Sequence, residues 1–351
     1  MMKKHLTQVI TILNSKGGVG KTSTAMNLAW VLGQKGYKVL AIDFDYQTNL
    51  TNSLNVGLRE NEEYMGTYEF ILHELRTISA EDDEFLANCS FEELLNACIC
   101  RPTYTKRVSK IIDGKKQVID EQVEFGFDLM PSHIMLADYE LELTQNKSGA
   151  DGFRLKKALE KLVKYRDYDF ILIDCSPSLG ILNLNAISAP CVYEFKDEKT
   201  GQIRGIEGGI LIPTNLDLLS TRGVENLIEK IAEVQELLLN MNSQQKMLGI
   251  IGINLSLYRE RRQIDAKIKN NLEMFYPLQI IGEIPETVDA KKAIYSGTLL
   301  VLINNKAKDA FNALADNIIK RLKEMDKVGP QIIHLESNEK RKIGDINDQD
   351  I

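Results

Sequence analysis

Residues 8–14, QVITILN, make a β-branched apolar run that gives way to the polar, glycine-rich stretch SKGGVGKTS and then to TAMNLAWVLGQKG. Apolar positions in that third stretch recur at helical spacing, and Gly36 stands where it would end the helix. KVLAIDFD follows as a second apolar run ending in acid. Strand, glycine loop, helix and strand in this succession predict a parallel pair with the loop at the carboxyl end of the first strand.

The rhythm returns downstream. Residues 154–166 predict a helix feeding a strand at 169–178, and 208–215 predict a strand feeding a helix at 222–239. Residues 248–256 predict a strand ahead of a basic helix, 278–285 a last strand, and 306–325 a closing helix. The strand runs are apolar almost throughout, as helices on both faces require. The expected fold class is α/β, a mostly parallel twisted sheet with helices on both faces, in a single domain over 1–328. Three stretches break the pattern. Residues 67–100 look helical and acidic, 101–125 alternate around Asp113-Gly114 as a β-hairpin, and 194–208 are polar enough to protrude. We expect 67–125 and 194–208 to be peripheral insertions, and 329–351 to be a tail that is flexible or docks on a partner.

Composition narrows the class further. The 351 residues are 44% hydrophobic and 26% charged, with 23 Gly and 8 Pro, which excludes collagen-like, disordered and disulfide-scaffold chains. No window of 18 apolar residues occurs and the N-terminus lacks a small-residue cleavage site, so a cytoplasmic protein without membrane attachment is expected. Cys89, Cys98, Cys100, Cys175 and Cys191 form no CxxC pair, in keeping with a reducing compartment. A net charge of -7 excludes a uniformly basic DNA-coating protein but leaves room for a local basic patch.

The chemistry concentrates in Ser15-Lys16-Gly17-Gly18-Val19-Gly20-Lys21-Thr22, which carries the GKT half of a phosphate-binding loop between a strand and a helix. Backbone N–H groups from Lys16 through Ser23 would close around phosphate oxygens, and the helix N-terminus adds partial positive charge. Lys21 is placed to reach the β- and γ-phosphates, and the Thr22 hydroxyl to ligate Mg²⁺. A glycine turn with an exposed lysine is the plainer alternative, and the strand–loop–helix context argues against it. Asp43 and Asp45 end the second strand two residues apart, so they point the same way. Paired acids at a strand end are otherwise helix caps. Asp174 closes the apolar run ILID, a place from which an acid holds Mg²⁺ through water.

Two departures make the loop diagnostic. Ser15 replaces the first glycine of GxxxxGKT, and a second lysine, Lys16, lies inside the loop. In this form, KGGVGKT, the sequence resembles the ParA/MinD family of deviant Walker A P-loop ATPases. The resemblance implies an ATPase of slow intrinsic turnover with ATP and Mg²⁺ as cofactors. It also implies a homodimer around ATP, in which Lys16 reaches across to the partner's phosphates. To Asp45, in DFDYQTN, it gives the positioning of the attacking water, with Asp43 in support, and to Thr22, Asp45 and Asp174 the Mg²⁺. Tyr46 stands where the family usually has proline, and Ser176 replaces the first proline of its DCPPS switch. Asn254 and Pro285 fall where the family contacts adenine.

Several relatives are set aside by what the chain lacks. MinD-type proteins end in a basic amphipathic membrane helix, whereas DINDQDI is acidic. Nitrogenase iron proteins need thiolates at a dimer axis. Arsenite pump ATPases carry two P-loops and this chain has one. Few residues precede the first strand, so no helix-turn-helix extension is expected. The resemblance therefore points to a ParA-type partition ATPase, cytoplasmic and nucleoid-associated. Its implied partners are nonspecific DNA, bound by the ATP dimer, and a ParB-like centromere-binding adaptor that stimulates hydrolysis to segregate a plasmid or chromosome. Candidate phosphate contacts are Arg259, Arg261, Arg262, Lys267 and Lys269, with Lys291 and Lys292. A solvated helix face is the plainer reading of each. A positioning ATPase of the same fold for another cargo, such as a protein compartment, receptor array or division site, is the alternative. A metabolic ligase or kinase fits less well.

Overall fold

In the computed structural model, which describes residues 4–56, 64–73, 84–112, 115–146, 151–178, 180–241, 249–258, 269–270 and 279–328, the apolar runs become one eight-stranded sheet and a separate two-stranded ribbon. The strands are β1 (Lys4–Ile12), β2 (Val39–Phe44), β3 (Thr103–Ile112), β4 (Lys115–Glu124), β5 (Asp128–Met130), β6 (Phe170–Cys175), β7 (Tyr193–Lys196), β8 (Ile203–Thr214), β9 (Ile250–Tyr258) and β10 (Ile280–Pro285). Seven of the sheet strands run parallel in the order β10-β9-β8-β1-β6-β2-β5, and β7 pairs antiparallel with the start of β8.

Alternation along the central strands builds two cores. Val9, Ile42, Ile171 and Ile173 face one side, under the helices Arg154–Tyr165, Ile181–Ser188 and Leu218–Met241. Ile10, Ile12, Ala41 and Leu172 face the other, under helix α1 (Lys21–Gln34) and the helix Asn305–Val328. In the latter, Ala307, Phe311, Leu314, Ala315, Ile318, Leu322 and Met325 supply one buried stripe at three- and four-residue spacing. Each large apolar side chain so buried contributes about 1.5–3 kcal/mol relative to its exposed state. Both faces of the sheet are thus covered, which is why its strands carry no polar alternation.

The stretches that broke the sequence rhythm separate into two outcomes. Residues 101–125 form the antiparallel ribbon β3–β4, outside the main sheet; its Asp113-Gly114 turn lies outside the described residues. Among the described residues of 67–100 stand three short helices, Thr67–Leu72, Glu84–Asn88 and Phe91–Cys98. The last opens with a capping box, in which the Ser90 hydroxyl accepts from Glu93 N and Ser90 N donates to the Glu93 carboxylate. Residues 194–208, expected to protrude, instead join the sheet as the β7–β8 hairpin. Their polarity belongs to its turn, where the Asp197 carboxylate accepts from Lys199 N (2.8 Å) and Thr200 N (3.0 Å). Strand β8 accordingly starts at Ile203, five residues before the predicted start. The tail 329–351 lies outside the described residues. No helix among the described residues is long and apolar enough to cross a membrane.

Candidate nucleotide site

Register assembles the site. Ile12, the last residue of β1, pairs with Asp174 on β6, and Asp174 pairs in turn with Asp43 on β2. Both acids occupy the sheet face that carries Ile10, Ala41 and Leu172, the face covered by α1. They therefore lie beside the N-terminus of α1, where Lys21 and Thr22 begin the helix.

The loop before that helix is held from below and open above. Asn14 is buried; its amide donates to the Pro213 carbonyl (2.8 Å), and its Oδ1 accepts from Lys16 N (3.0 Å). The Ser15 hydroxyl donates to the Gly223 carbonyl (3.4 Å), so this serine ties the loop to the helix Leu218–Met241. Nothing lies within 4 Å of where a side chain on Gly17 or Gly18 would begin. Gly20 has φ 82°, and a Cβ there would sit 2.9 Å from Ser256 Oγ, so glycine is required by conformation and by space.

Charge is concentrated beneath the loop. Lys21 is buried, and its ammonium donates to the Lys16 carbonyl (3.0 Å). Burial lowers its pKa, against the opposing pull of Asp174, Cys175 and Asp45. Asp174 is buried too, and neither of its oxygens has a hydrogen-bond partner among the described residues. Burial pushes its carboxyl well up and the Asp43 charge adds to this, while the Thr22 hydroxyl and the Lys21 ammonium pull the other way.

Asp43 and Asp45 divide their work. The Asp43 carboxylate accepts from Thr51 N (2.8 Å), Thr51 Oγ1 (2.7 Å) and Asp45 N (3.2 Å), which fixes the turn that follows β2. Burial pushes Asp43 up to about 7 although the Thr51 bonds oppose it. Asp45 accepts from Gln47 N (3.0 Å) and Asn49 Nδ2 (3.1 Å), so its orientation is set by its own turn. Tyr46, in place of proline, is half-buried against the core.

The donor set fits Mg²⁺ with a nucleotide. Among the described residues, a buried carboxylate without a partner lies beside a threonine hydroxyl, and no cluster of three or more His, Cys, Asp or Glu could hold a metal alone. Mg²⁺ suits such a site, because it keeps waters and takes phosphate oxygens rather than a full protein cage.

The remaining sequence candidates scatter. The Lys16 ammonium contacts both oxygens of Asp217 in its own chain, at 2.7 and 2.8 Å. Asn254 is fully buried on β9, donating to Thr24 Oγ1 (3.3 Å), and Pro285 ends β10 opposite Tyr258. Lys269 pairs with Glu283 (2.5 Å), whereas Lys291 and Lys292 are exposed on the helix Asp289–Tyr295. Arg259, Arg261, Arg262 and Lys267 lie outside the described residues. Sequence reading missed Asp217 and Asn14. Each sits just past the end of a strand that borders the loop, and that position was the available signal.

Residues 7–192 match the family AAA_31, described as an AAA domain, over more than half of the chain. An uncharacterized protein of Methanocaldococcus jannaschii, MJECL24, is 29% identical over 318 residues, covering 90% of this chain and 99% of its own. The chromosome partitioning protein ParA of Caulobacter vibrioides is 24% identical over 326 residues, covering 91% and 97%. Among solved structures, a variant of McdA from Cyanothece in complex with ATP has a TM-score of 0.60 at 21% identity, covering 95% of this chain and 100% of its own. At that identity the likeness speaks for the fold.

Proposed function

The chain belongs to the AAA domain family of ParA/MinD-type P-loop ATPases, and on that premise we propose that it is a DNA-partition ATPase. It dimerises around ATP, binds DNA without sequence preference as a dimer, and is reset when an adaptor protein stimulates hydrolysis. The observation that carries this reading is Lys16. A second lysine inside the loop adds nothing to a phosphate site that Lys21 already serves, and here its ammonium points outward to half-exposed Asp217.

Each residue has a distinct task in hydrolysis. The N–H groups of Gly17 to Ser23 and the α1 N-terminus bind the phosphate chain. Lys21 neutralises the β/γ oxygens from a buried position, where its charge acts at low dielectric. Thr22 and Asp174, with Asp45, would hold Mg²⁺, which would neutralise charge developing on the phosphates. Asp45, fixed by Gln47 and Asn49, orients the attacking water. Lys16 of a second subunit adds a cation to the same oxygens, as an arginine finger does. Asn254 and Pro285 border the base, and Lys291 and Lys292 contribute to the DNA surface.

DNA binding with ATP, with ADP and without nucleotide tests the proposal. Tight binding of random-sequence duplex with ATP alone is expected. Equal binding in all three states would contradict a switch.

A further inference from the structure

The helix Leu136–Asn146 follows β5 and is fixed to the core by Leu136 and Tyr139, both buried. Tyr139 also meets Tyr68 edge to face, at 6.3 Å between ring centroids. Glu140, the next residue, therefore projects from a settled backbone. Its half-buried carboxylate accepts from Leu182 N, in the first turn of the helix Ile181–Ser188. That helix begins where the loop after β6 ends, and the loop leaves β6 just past Asp174.

The cap on this helix comes from elsewhere in the fold. Helix N-termini are ordinarily closed by Ser, Thr, Asp or Asn at the N-cap position, but here that position is Gly180, which has no side chain to offer. The backbone does not demand glycine, since φ -76° and ψ -169° are extended values open to any residue. Space does: a Cβ on Gly180 would overlap Glu140 Oε1 and come within 3.7 Å of Ser178 Oγ. Glycine thus lets a carboxylate from another helix close on this N-terminus, where the partial positive charge favours an anion.

The loop is also tied from the other side. Asn183 is buried, and its amide donates to the carbonyls of Ser176 (3.2 Å) and Ser178. The Ser176 and Ser178 hydroxyls lie 2.9 Å apart. Glu140 and Asn183 together hold the far end of a loop whose near end is Asp174.

Capping alone does not call for an acid in this place. Burial pushes the Glu140 carboxyl up and the Asp45 charge adds to this, while the Leu182 bond pulls the other way. A serine at the N-cap position would close the helix without that conflict. What Glu140 adds is a connection between the two halves of the site. It lies near enough to Asp45 to feel its charge, and it holds the loop that leaves Asp174. Phe44 pairs with Cys175, so the Asp45 turn and this loop leave the sheet side by side.

We propose that Glu140 is a positioning residue for hydrolysis, clamping segment 176–178 against the phosphate site beside Asp45. The inference rests on the ATPase reading above and adds a residue to it. Without the clamp the loop samples other positions, and only the fraction of molecules with an aligned loop turns over. Phosphate binding belongs to the glycine loop and Lys21 and does not depend on the clamp.

The test is single-turnover hydrolysis by the full chain, beside titration with a fluorescent nonhydrolysable ATP analogue and thermal melting. The variants are Glu140→Ala, Glu140→Gln, Gly180→Ala and the double Glu140→Ala/Gly180→Ala. Gly180→Ala keeps Glu140 but drives its carboxylate, the end of a flexible side chain, off the helix. Glu140→Ala and Gly180→Ala should each slow hydrolysis by about ten- to a hundredfold, as loss of one charge-assisted hydrogen bond allows, with analogue affinity unchanged. The double variant should be no slower than the slower single, because both remove the same contact. Glu140→Gln keeps an acceptor for Leu182 N and should recover most of the rate. A wild-type rate in Glu140→Ala with a lowered melting temperature would make Glu140 a structural cap and overturn the proposal. Losses that multiply in the double variant, an equal loss of analogue affinity, or a glutamine variant as slow as the alanine overturn it as well. If Glu140→Ala does not fold, Gly180→Ala decides, and a wild-type rate there overturns the clamp. A wild type that fails to hydrolyse ATP overturns the ATPase reading, and the clamp with it.

Discussion

Asp43 and Asp174 face each other in register across β2 and β6, both fully buried, yet only Asp43 has hydrogen-bond partners among the described residues. Burial raises the pKa of both, and the Asp43 charge raises that of Asp174 further. Asp174 is thus poised for a cation that the folded chain alone supplies only in part, through Lys21.

The pair makes a prediction about pH. Asp43 titrates near 7 when folded, against about 3.9 in an unfolded chain. An acid whose pKa is raised on folding favours the folded state below its unfolded pKa, and that stability is lost as pH rises through the folded value. Without nucleotide or Mg²⁺, thermal stability should therefore fall between about pH 4 and pH 7. Asp174→Asn should flatten this fall and raise the melting temperature at pH 8 by removing a buried, poorly compensated charge. It should also abolish Mg²⁺-dependent hydrolysis. A variant less stable than wild type at pH 8 would contradict the account.

The two hydrolytic residues should fail differently. Lys21→Ala removes the buried cation at the phosphates and should cost nucleotide affinity about a hundredfold or more, as removal of a charge-assisted hydrogen bond does. Asp45→Ala should bind ATP within a few-fold of wild type while turnover drops at least about a hundredfold. Titration with a fluorescent ATP analogue beside single-turnover hydrolysis separates the two. Equal loss of affinity in both variants would remove Asp45 from its role.

Gly20→Ala should destabilise the chain by about 1–2 kcal/mol through its left-handed backbone alone, with a further penalty from the collision with Ser256. Ser256→Gly should recover only the second part, as urea melts of the single and double variants would read.

What the sequence made legible follows from where its physics is local. The strands around the P-loop are apolar on both faces, so β1, β2 and β6 were visible as runs, and Asp43 and Asp174 as acids at their ends. The pairing of these two acids was not visible, because it depends on β6 lying between β1 and β2, a long-range choice. Polar composition at 194–208 hid β7, since a hairpin turn and a protruding loop use the same residues. The ribbon β3–β4 was readable from alternation around Asp113-Gly114, but its anchoring by Tyr104 and Phe125 required the α1 core. Asp217 was missed for a similar reason: its place past a strand end marks it as a candidate, but its pairing with a lysine two hundred residues earlier depends on β8 lying beside β1.

That acid makes a prediction of its own. Lys16 and Asp217 are 31% and 44% exposed, so their bridge is worth about 0–1 kcal/mol. It nevertheless must open before Lys16 can serve a second subunit. Asp217→Ala should lower the protein concentration needed for ATP-dependent dimerisation by up to about fivefold. Concentration-dependent light scattering with an ATP analogue would show it, and a higher threshold would mean that Asp217 supports the dimer instead.

Sedimentation velocity of wild type and Lys16→Gln, each with ADP and with a nonhydrolysable ATP analogue, tests the central claim most directly. The account predicts a wild-type monomer with ADP and a dimer with the analogue. It predicts a Lys16→Gln variant that binds the analogue yet shifts far less toward dimer. A wild type that stays monomeric with the analogue, or a variant that dimerises equally well, would contradict it.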